Sequence, residues 1–177
     1  MEDDDLKRLL DERAIRRIFE DYCRGVDRLD EELIRACYHE DSTDDHGVWK
    51  GNGRDFAAFV VKILGQHAVA TQHVLGQSTI DIDRSGDRNG NGDVAWCETY
   101  VIAHHRVEHD GQTTLETVGG RYADRVERRD GVWKLADRVV ITEWEKKETV
   151  QPVFPPGSFR TGERSRDDLV YQRMPRI

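Results

Sequence analysis

Long segments of alternating apolar and polar residues fill the chain after residue 67, and they restrict the fold more than any other feature. They cover residues 68–83, 93–109, 112–129 and 132–145, and each has the two-residue period of a strand with one buried face. The segments between them, RSGDRNGNG, HDG and RDG, are rich in residues that form tight turns. Successive hairpins of this kind predict an antiparallel meander.

The N-terminal part of the chain has a helical period instead. In the first helix, apolar residues recur at three- and four-residue spacing: Ile15, Ile18, Phe19, Tyr22, Cys23 and Val26. A break near Leu29–Asp30 precedes a short second helix, EELIRACY, and RDFAAFVVKILGQH predicts a third. A short strand carrying Asp44, His46 and Val48 on one face is expected between these two helices.

Helices followed by a meander indicate an α+β fold. We expect a strongly curved antiparallel sheet, a cone-shaped barrel whose concave side holds a pocket and is roofed by about three N-terminal helices. Residues 1–148 should form this single domain. Residues 149–177 are rich in Pro, Gly and Arg and have no sustained period, so we expect an arm that packs on the domain or on a neighbouring subunit.

Composition and charge exclude several classes of protein. The formal net charge is -8, and basic residues alternate with acidic ones, which argues against nucleic-acid binding. No segment has the apolar length of a signal peptide or a membrane span. Cys23, Cys37 and Cys97 lie singly in apolar patterns, which favours buried thiols in a reducing, cytoplasmic environment. Since neither a glycine-rich phosphate loop nor a metal-ligand spacing occurs, we expect no cofactor and no metal.

Asp27 is an unusual residue at its position in the first helix. It follows Cys23 by one turn at the edge of the apolar stripe, near the negative end of the helix dipole. Partial burial there disfavours the ionised carboxylate. Two interpretations fit this stretch equally well: a carboxylate at a functional site, or an Asp that caps the turn before Asp30.

Two residues of the predicted strands bear on that choice. His73 shares a strand face with Thr71 and Leu75, and this face can be the concave one. Arg138 lies among apolar and small residues of the last strand. Because its guanidinium cannot lose its proton, Arg138 needs an anion inside the fold, and Asp27 would serve.

The segments RAIRRIFEDYCRGVDR, TQHVLG and GGRYADRVERRDGVWKLADR together resemble SnoaL-like members of the nuclear-transport-factor-like superfamily. The resemblance covers most of residues 13–142. It extends to hexachlorocyclohexane dehydrochlorinase and, more loosely, to bile-acid and scytalone dehydratases. It implies an Asp–His dyad at Asp27 and His73, and an Arg at Arg138 that helps the leaving group. Tyr22 matches a Tyr of the bile-acid dehydratase, where the dehydrochlorinase has a Lys, and this difference argues against halide elimination.

The residues and the resemblance together predict a cofactor-independent lyase or isomerase. Its substrate would be a hydrophobic cyclic small molecule such as a steroid or polyketide. Asp27 and His73 would remove a proton, with Tyr22 as donor to an oxyanion and Arg138 at the departing oxygen. The predicted substrate-binding residues are His46, Tyr100, Phe59 and Thr71. The alternative is a non-catalytic ligand carrier or the structural β subunit of a ring-hydroxylating oxygenase.

Some polar residues have a plainer interpretation. Asp44 and His46 could form a second acid/base pair, but a solvated strand end is the commoner arrangement for Asp44. At most one of His104 and His105 can face the cavity, because neighbouring strand residues point to opposite faces. A metal site formed by His46, His73 and His104 is not favoured by their spacing.

A homo-oligomer is expected, because the outer face of the sheet carries too much apolar surface for a monomer. A trimer is preferred to a dimer, since the apolar tail can reach a neighbouring subunit. The predicted outer-face residues are Trp133, Leu135, Val139, Ile141, Val118 and Tyr122.

Overall fold

Two tight turns set the meander, as seen in a computed structural model that describes residues 2–85, 93–155 and 157–174. Asp110–Gly111 and Asp130–Gly131 all have positive φ, between 49° and 80°. A two-residue turn with both φ angles positive matches the twist of the flanking strands. The predicted HDG and RDG hairpins are therefore confirmed, whereas the predicted turn RSGDRNGNG extends into residues 86–92, outside the described residues.

The elements follow the predicted order. The helices are α1 (Glu2–Arg28), α2 (Glu31–Ala36), α3 (Gly53–His67) and α4 (Leu169–Arg173). The strands are β1 (Tyr38–Asp45), β2 (Lys50–Asn52), β3 (Ala70–Asp83), β4 (Val94–His109), β5 (Gln112–Arg129) and β6 (Val132–Thr149). Helix α4 was not predicted. No described helix has the length and apolarity needed to cross a membrane.

One curved, unclosed sheet has the strand order β2-β1-β6-β5-β4-β3. Strands β3 to β6 pair antiparallel, as predicted, but β1 pairs parallel to β6. The sheet is therefore mixed, with one parallel pair that the predicted antiparallel sheet did not include. The α+β class and the N-terminal helices are confirmed. The sheet order matters for the site, because β1 and β3 lie far apart along a sheet that curves around one cavity.

A β-bulge in β6 changes which residues face inward. Val126 pairs with Leu135, whereas the preceding Arg125 pairs with Asp137, so Ala136 is an extra residue. An extra residue shifts the alternation of side chains by one position. Two β6 residues on opposite sides of Ala136 therefore point to the same face when their residue numbers differ by an odd number.

Most of the predicted outer face is wrong, and for the residues of β6 this bulge is the reason. Trp133, Leu135 and Tyr122 are buried, with 5%, 0% and 4% of their surface exposed. Val118 lines the interior cavity, and Val139 remains exposed on the outer face. Simple alternation along β6 misplaced the first part of the strand.

The convex face does carry apolar side chains, but mainly from β4. Trp96, Tyr100 and Ile102 alternate along that strand and are exposed. Trp144 of β6 lies across Gly119, where an added Cβ atom would overlap the indole ring. These side chains form an exposed apolar band on the outside of the sheet.

Helix α1 ends in a way that fixes the direction of its last turn. Leu29 has a φ of 55°, and the amide of Asp30 donates to the carbonyl of Gly25 at 2.8 Å, which is a Schellman closure. The Asp30 carboxylate then caps α2 by accepting from the amide of Leu33. Gly25 allows α2 to approach closely, since an added Cβ would lie 2.7 Å from Ile34.

The end of the C-terminal arm packs against the helices of its own chain. Arg166 forms an ion pair with Asp30 at 3.0 Å, and Asp168 lies 3.7 Å from Arg28. Farther back along the arm, Phe154 is exposed.

Candidate active site

An apolar cavity of about 310 Å³ lies between helices α1 and α3 and the concave face of the sheet. Its volume is at the lower end of the range for small-molecule sites. Apolar residues of helices and strands line the cavity, among them Val26, Phe56, Phe59, Val60, Leu64 and Val101. Few polar side chains face this space, and they include Tyr22, His46, His73 and His105.

His73 and Asp27 form a hydrogen-bonded pair at one side of the cavity. The Nδ1 atom of His73 lies 2.8 Å from the Asp27 Oδ1 atom, and the His73 backbone amide donates to Oδ2 at 3.0 Å. The amide is free for this contact because β3 is an edge strand. The predicted contact is confirmed, and it directs the second ring nitrogen, Nε2, away from Asp27.

The electrostatic surroundings of Asp27 favour a carboxylate. Burial pushes its pKa upward, but hydrogen bonds from His73 and Thr71 outweigh burial and lower the pKa below its ordinary value. His105, whose ring centroid is 5.9 Å from that of His73, has a pKa lowered to about 4, mainly by burial. His105 is thus neutral near pH 7.

A second Asp–His pair lies on the opposite wall. The Asp44 Oδ1 atom makes a short hydrogen bond with Nδ1 of His46, and the Tyr22 hydroxyl lies 3.0 Å from Nε2 of the same ring. The His46 ring stacks on Phe56 at 4.0 Å. Asp44 is 3% exposed, so the expectation of a solvated strand end is wrong.

Tyr22 is held as a neutral phenol between this pair and the core. Burial is the main reason why its pKa is raised well above its ordinary value. Its ring packs edge-on against Tyr122, with 5.9 Å between the centroids. Tyr22 therefore presents a hydroxyl, not a phenolate, near pH 7.

Arg138 occupies a different place from the predicted one. It is fully buried, and its Nε and Nη2 atoms donate to the two oxygens of Asp124, each at 2.7 Å. The guanidinium lies between the rings of Tyr22 and Tyr122, 4.2 and 4.0 Å from their centroids. The carboxylate of Asp124 raises the pKa of Arg138, although burial alone would lower it. The predictions that Arg138 pairs with Asp27 and lines the cavity are wrong.

The predicted substrate-binding residues divide into three groups. His46 and Phe59 line the cavity. Thr71 is buried beside Asp27, where its hydroxyl helps to lower the carboxyl pKa. Tyr100 lies on the convex face and is 42% exposed, so its predicted place in the pocket is wrong.

Of the neighbouring histidines, His105 faces the cavity. His104 lies on the other face and contacts the hydroxyl of Thr117 at 3.0 Å. In the described part of the chain, no cluster of three or more His, Cys, Asp or Glu side chains could hold a metal ion.

The sequence-based predictions missed Asp124 as the partner of Arg138. The alternation of Tyr122, Asp124 and Val126 along β5 was a usable signal, because it places the carboxylate on the face of buried residues. They also missed Arg164 of the arm, which donates to the carbonyls of Leu64 and Ala68 at 2.9 and 2.5 Å. No sequence pattern pointed to that contact.

Comparisons with known proteins agree with the fold. Residues 7–139 match the SnoaL-like domain family, and no curated protein matches the chain. A scytalone dehydratase-like structure from Novosphingobium aromaticivorans DSM 12444 is 25% identical, covering 90% of this chain and 100% of its own, with a TM-score of 0.66.

Two further solved structures show the same fold. Hexachlorocyclohexane dehydrochlorinase LinA type 2 is 21% identical over 86% of this chain and 99% of its own, with a TM-score of 0.70. An aromatic ring hydroxylase-like structure from Novosphingobium aromaticivorans is 22% identical over 80% of this chain and 94% of its own, with a TM-score of 0.64.

Proposed function

The chain belongs to the SnoaL-like domain family, and from this premise we propose that it is a cofactor-independent lyase or isomerase that removes a proton next to a carbonyl group. Loss of water from the neighbouring carbon would follow in a dehydratase. The substrate is a hydrophobic cyclic compound of the polyketide or steroid kind. The mostly apolar wall of the cavity supports this substrate class.

The observation that carries the proposal is the orientation of His73. Its Nδ1 atom is engaged by Asp27 at 2.8 Å, and the ring lines the cavity. With a proton on Nδ1, the Nε2 atom has a free lone pair and can act as a general base near pH 7. Asp27 fixes this tautomer and stabilises the imidazolium that forms.

Tyr22 is the hydrogen-bond donor for a substrate oxygen on which negative charge develops. It lines the same cavity as His73, and its pKa is raised by burial. Arg138 acts behind Tyr22 as a buried positive charge and makes no contact with substrate in this proposal.

Deuterium exchange tests the proposal without knowledge of the natural substrate. A panel of α-tetralone, a decalone and a steroid ketone is incubated with the protein in D₂O, and deuterium at the α carbon is measured by mass spectrometry. We expect exchange with at least one ketone and its loss in His73→Ala. A panel that binds, as judged by a raised melting temperature, but shows no exchange would contradict the proposal and favour a ligand carrier.

We further propose a cytoplasmic homotrimer. The three cysteines are buried and free, which suits a reducing compartment. The band of Trp96, Tyr100, Ile102 and Trp144 on the convex face supports an interface between copies. Sedimentation equilibrium should give three times the 20.5 kDa of one chain, and Ile102→Glu should lower this mass. A mass of one chain would reject the oligomer, and twice that mass would reject the trimer.

A further inference from the structure

The pair formed by Asp44 and His46 is not needed for proton removal by His73. It nevertheless lies in the wall of the same cavity. The side chain of Asp44 is fully buried. Strands β1 and β3 lie four positions apart in the sheet order, so the ring of His46, which follows β1, faces the cavity from the side opposite His73.

The hydrogen bonds from Tyr38 through Asp44 fix which nitrogen of His46 carries its proton. The Tyr38 hydroxyl donates to Asp44 Oδ2 at 2.6 Å, which leaves Oδ1 of Asp44 to accept the Nδ1 proton of His46. The Nε2 atom of His46 then faces the Tyr22 oxygen at 3.0 Å. Asp44 is thus held by two partners, and His46 is oriented with Nε2 towards Tyr22.

The charge of His46 decides what Tyr22 can do. A neutral ring with its proton on Nδ1 accepts a hydrogen bond at Nε2 from the Tyr22 hydroxyl, so the hydroxyl hydrogen is not available to a substrate. A protonated ring donates from Nε2 to the Tyr22 oxygen, and the hydroxyl hydrogen of Tyr22 is then free. The carboxylate of Asp44, whose side chain is fully buried, contacts the same ring at Nδ1.

We propose that His46, oriented by Asp44, is the general acid of the site and protonates the departing hydroxyl group through Tyr22. This inference rests on the proposed function and specifies its substrate class as a β-hydroxy ketone. A full proton is what a departing hydroxide needs, because hydroxide is a poor leaving group. An enolate oxygen needs only a hydrogen bond. Tyr22 therefore faces the leaving oxygen and not the carbonyl oxygen.

The atoms balance without a further reactant. Nε2 of His73 takes the α proton, and the electron pair of that C–H bond forms the new carbon–carbon double bond. The C–O bond breaks, and its pair stays on the hydroxyl oxygen. This oxygen takes the proton of Tyr22 while the Tyr22 oxygen takes the Nε2 proton of His46. Water leaves, and solvent carries the proton of His73 back to His46.

Three measurements on one set of ketones test the assignment. Exchange of the α proton of α-tetralone reports His73 alone, since no group departs. The β-hydroxy derivative loses water to give fluorescent α-naphthol, which needs the acid. The β-acetoxy derivative forms the same product by losing acetate, which departs without protonation.

His46→Gln should slow the loss of water by roughly 10²-fold, while α-proton exchange and loss of acetate change by less than about threefold. Asp44→Asn should also slow the loss of water selectively, but by a smaller factor. If the buried amide prevents this variant from folding, the test rests on His46→Gln alone. His104→Gln, on the convex face, is the matched control and should leave all three rates unchanged.

Two outcomes would overturn the inference while leaving the proposed function intact. One is an equal loss of all three activities in His46→Gln, which would indicate an oxyanion or structural role. The other is an unchanged rate of water loss. If the unmodified protein fails to exchange any ketone of the panel, the proposed function itself is wrong and the inference falls with it.

Discussion

Two carboxylates with basic partners lie on the concave side of the same sheet, and only one of the two partners can lose its proton. In the Asp27–His73 pair, both side chains keep some exposure, 14% and 9%, and one imidazole nitrogen is unused by the carboxylate. In the Asp124–Arg138 pair, both side chains are fully buried. Two guanidinium nitrogens contact the carboxylate.

The two pairs differ in whether the basic partner can exchange a proton. An imidazole can gain and lose a proton near pH 7, whereas a guanidinium stays charged in proteins. In the proposed mechanism Asp27 therefore orients a base, while Asp124 neutralises a permanent charge that would otherwise be costly to bury. The same kind of carboxylate serves two purposes, and its partner decides which.

The strongest test of this contrast removes the base. His73→Ala should lower α-proton exchange by about 10²- to 10⁴-fold, because no other described group takes over the position of Nε2. The fold should persist, since the ring lies at the cavity wall. Exchange is followed by mass spectrometry and folding by near-ultraviolet circular dichroism.

His109→Ala provides the control for this variant, because His109 is an exposed histidine near the end of β4. Its exchange rate should equal that of the unmodified protein. An active His73→Ala variant would remove the dyad from the mechanism.

The same carboxylate-to-amide change should act on stability at the other pair. Asp124→Asn leaves Arg138 buried without a counter-ion, and we expect a loss of about 3 to 5 kcal/mol of unfolding free energy. Asp27→Asn should instead reduce exchange and change stability far less. Urea unfolding at pH 7 measures both.

A paired replacement sharpens the result. Asp124→Leu with Arg138→Met removes both charges and should recover much of the stability lost in Asp124→Asn. If the paired variant is as unstable as Asp124→Asn, the loss comes from packing and not from the unpaired charge.

The sequence predicted the helices and strands well but not the partner of Arg138. The reason is the extra residue at Ala136. Counting outward from the Arg129–Val132 pair, a regular hairpin would place Ala123 opposite Arg138. The bulge at Ala136 places Asp124 there instead. A two-residue period predicts a strand, but it does not show where that period is interrupted.

The Asp27–His73 contact was predictable because both residues matched a family pattern within well-defined elements. The sequence also suggested a pair of Asp44 and His46, but Asp44 was expected at a solvated strand end. Its burial depends on β1 lying parallel to β6, and this pairing joins strands far apart in sequence. Local patterns carry little information about such a contact.

Acid should lower the stability of the protein through His105, which lies beside the dyad. The pKa of His105 is about 4 in the folded protein, against an ordinary value of 6.5. Below pH 6.5 the unfolded chain binds the proton first, so stability is lost as pH falls towards 4. The loss should be about 1.5 kcal/mol between pH 6.5 and pH 5.

His105→Gln should therefore flatten the dependence of unfolding free energy on pH in this window. His109→Gln, an exposed substitution, should retain the slope of the unmodified protein. Equal slopes in the unmodified protein and His105→Gln would mean that His105 is not held neutral by burial. The measurement is urea unfolding at several pH values from 7 down to about 4.

The smallest expected effect concerns how Asp27 is kept in place. The guanidinium of Arg164 donates to two carbonyls at the end of α3, at 2.9 and 2.5 Å, and its Nε atom lies 3.4 Å from the Asp27 carbonyl. One arm residue therefore joins the ends of the two helices that border the cavity. Small displacements of an orienting carboxylate reduce turnover.

Arg164→Ala should lower the maximal rate of α-proton exchange by about tenfold with little change in the ketone concentration at half-maximal rate, since the cavity wall is untouched. Arg164→Lys should be intermediate, because an ammonium carries its positive charge at one point and cannot reproduce the planar fork of a guanidinium. Arg160→Ala, in an exposed part of the arm, is the matched control and should have no effect. An unchanged rate in Arg164→Ala would show that α1 holds Asp27 without the arm, and the dyad would then be as self-contained as the Asp124–Arg138 pair.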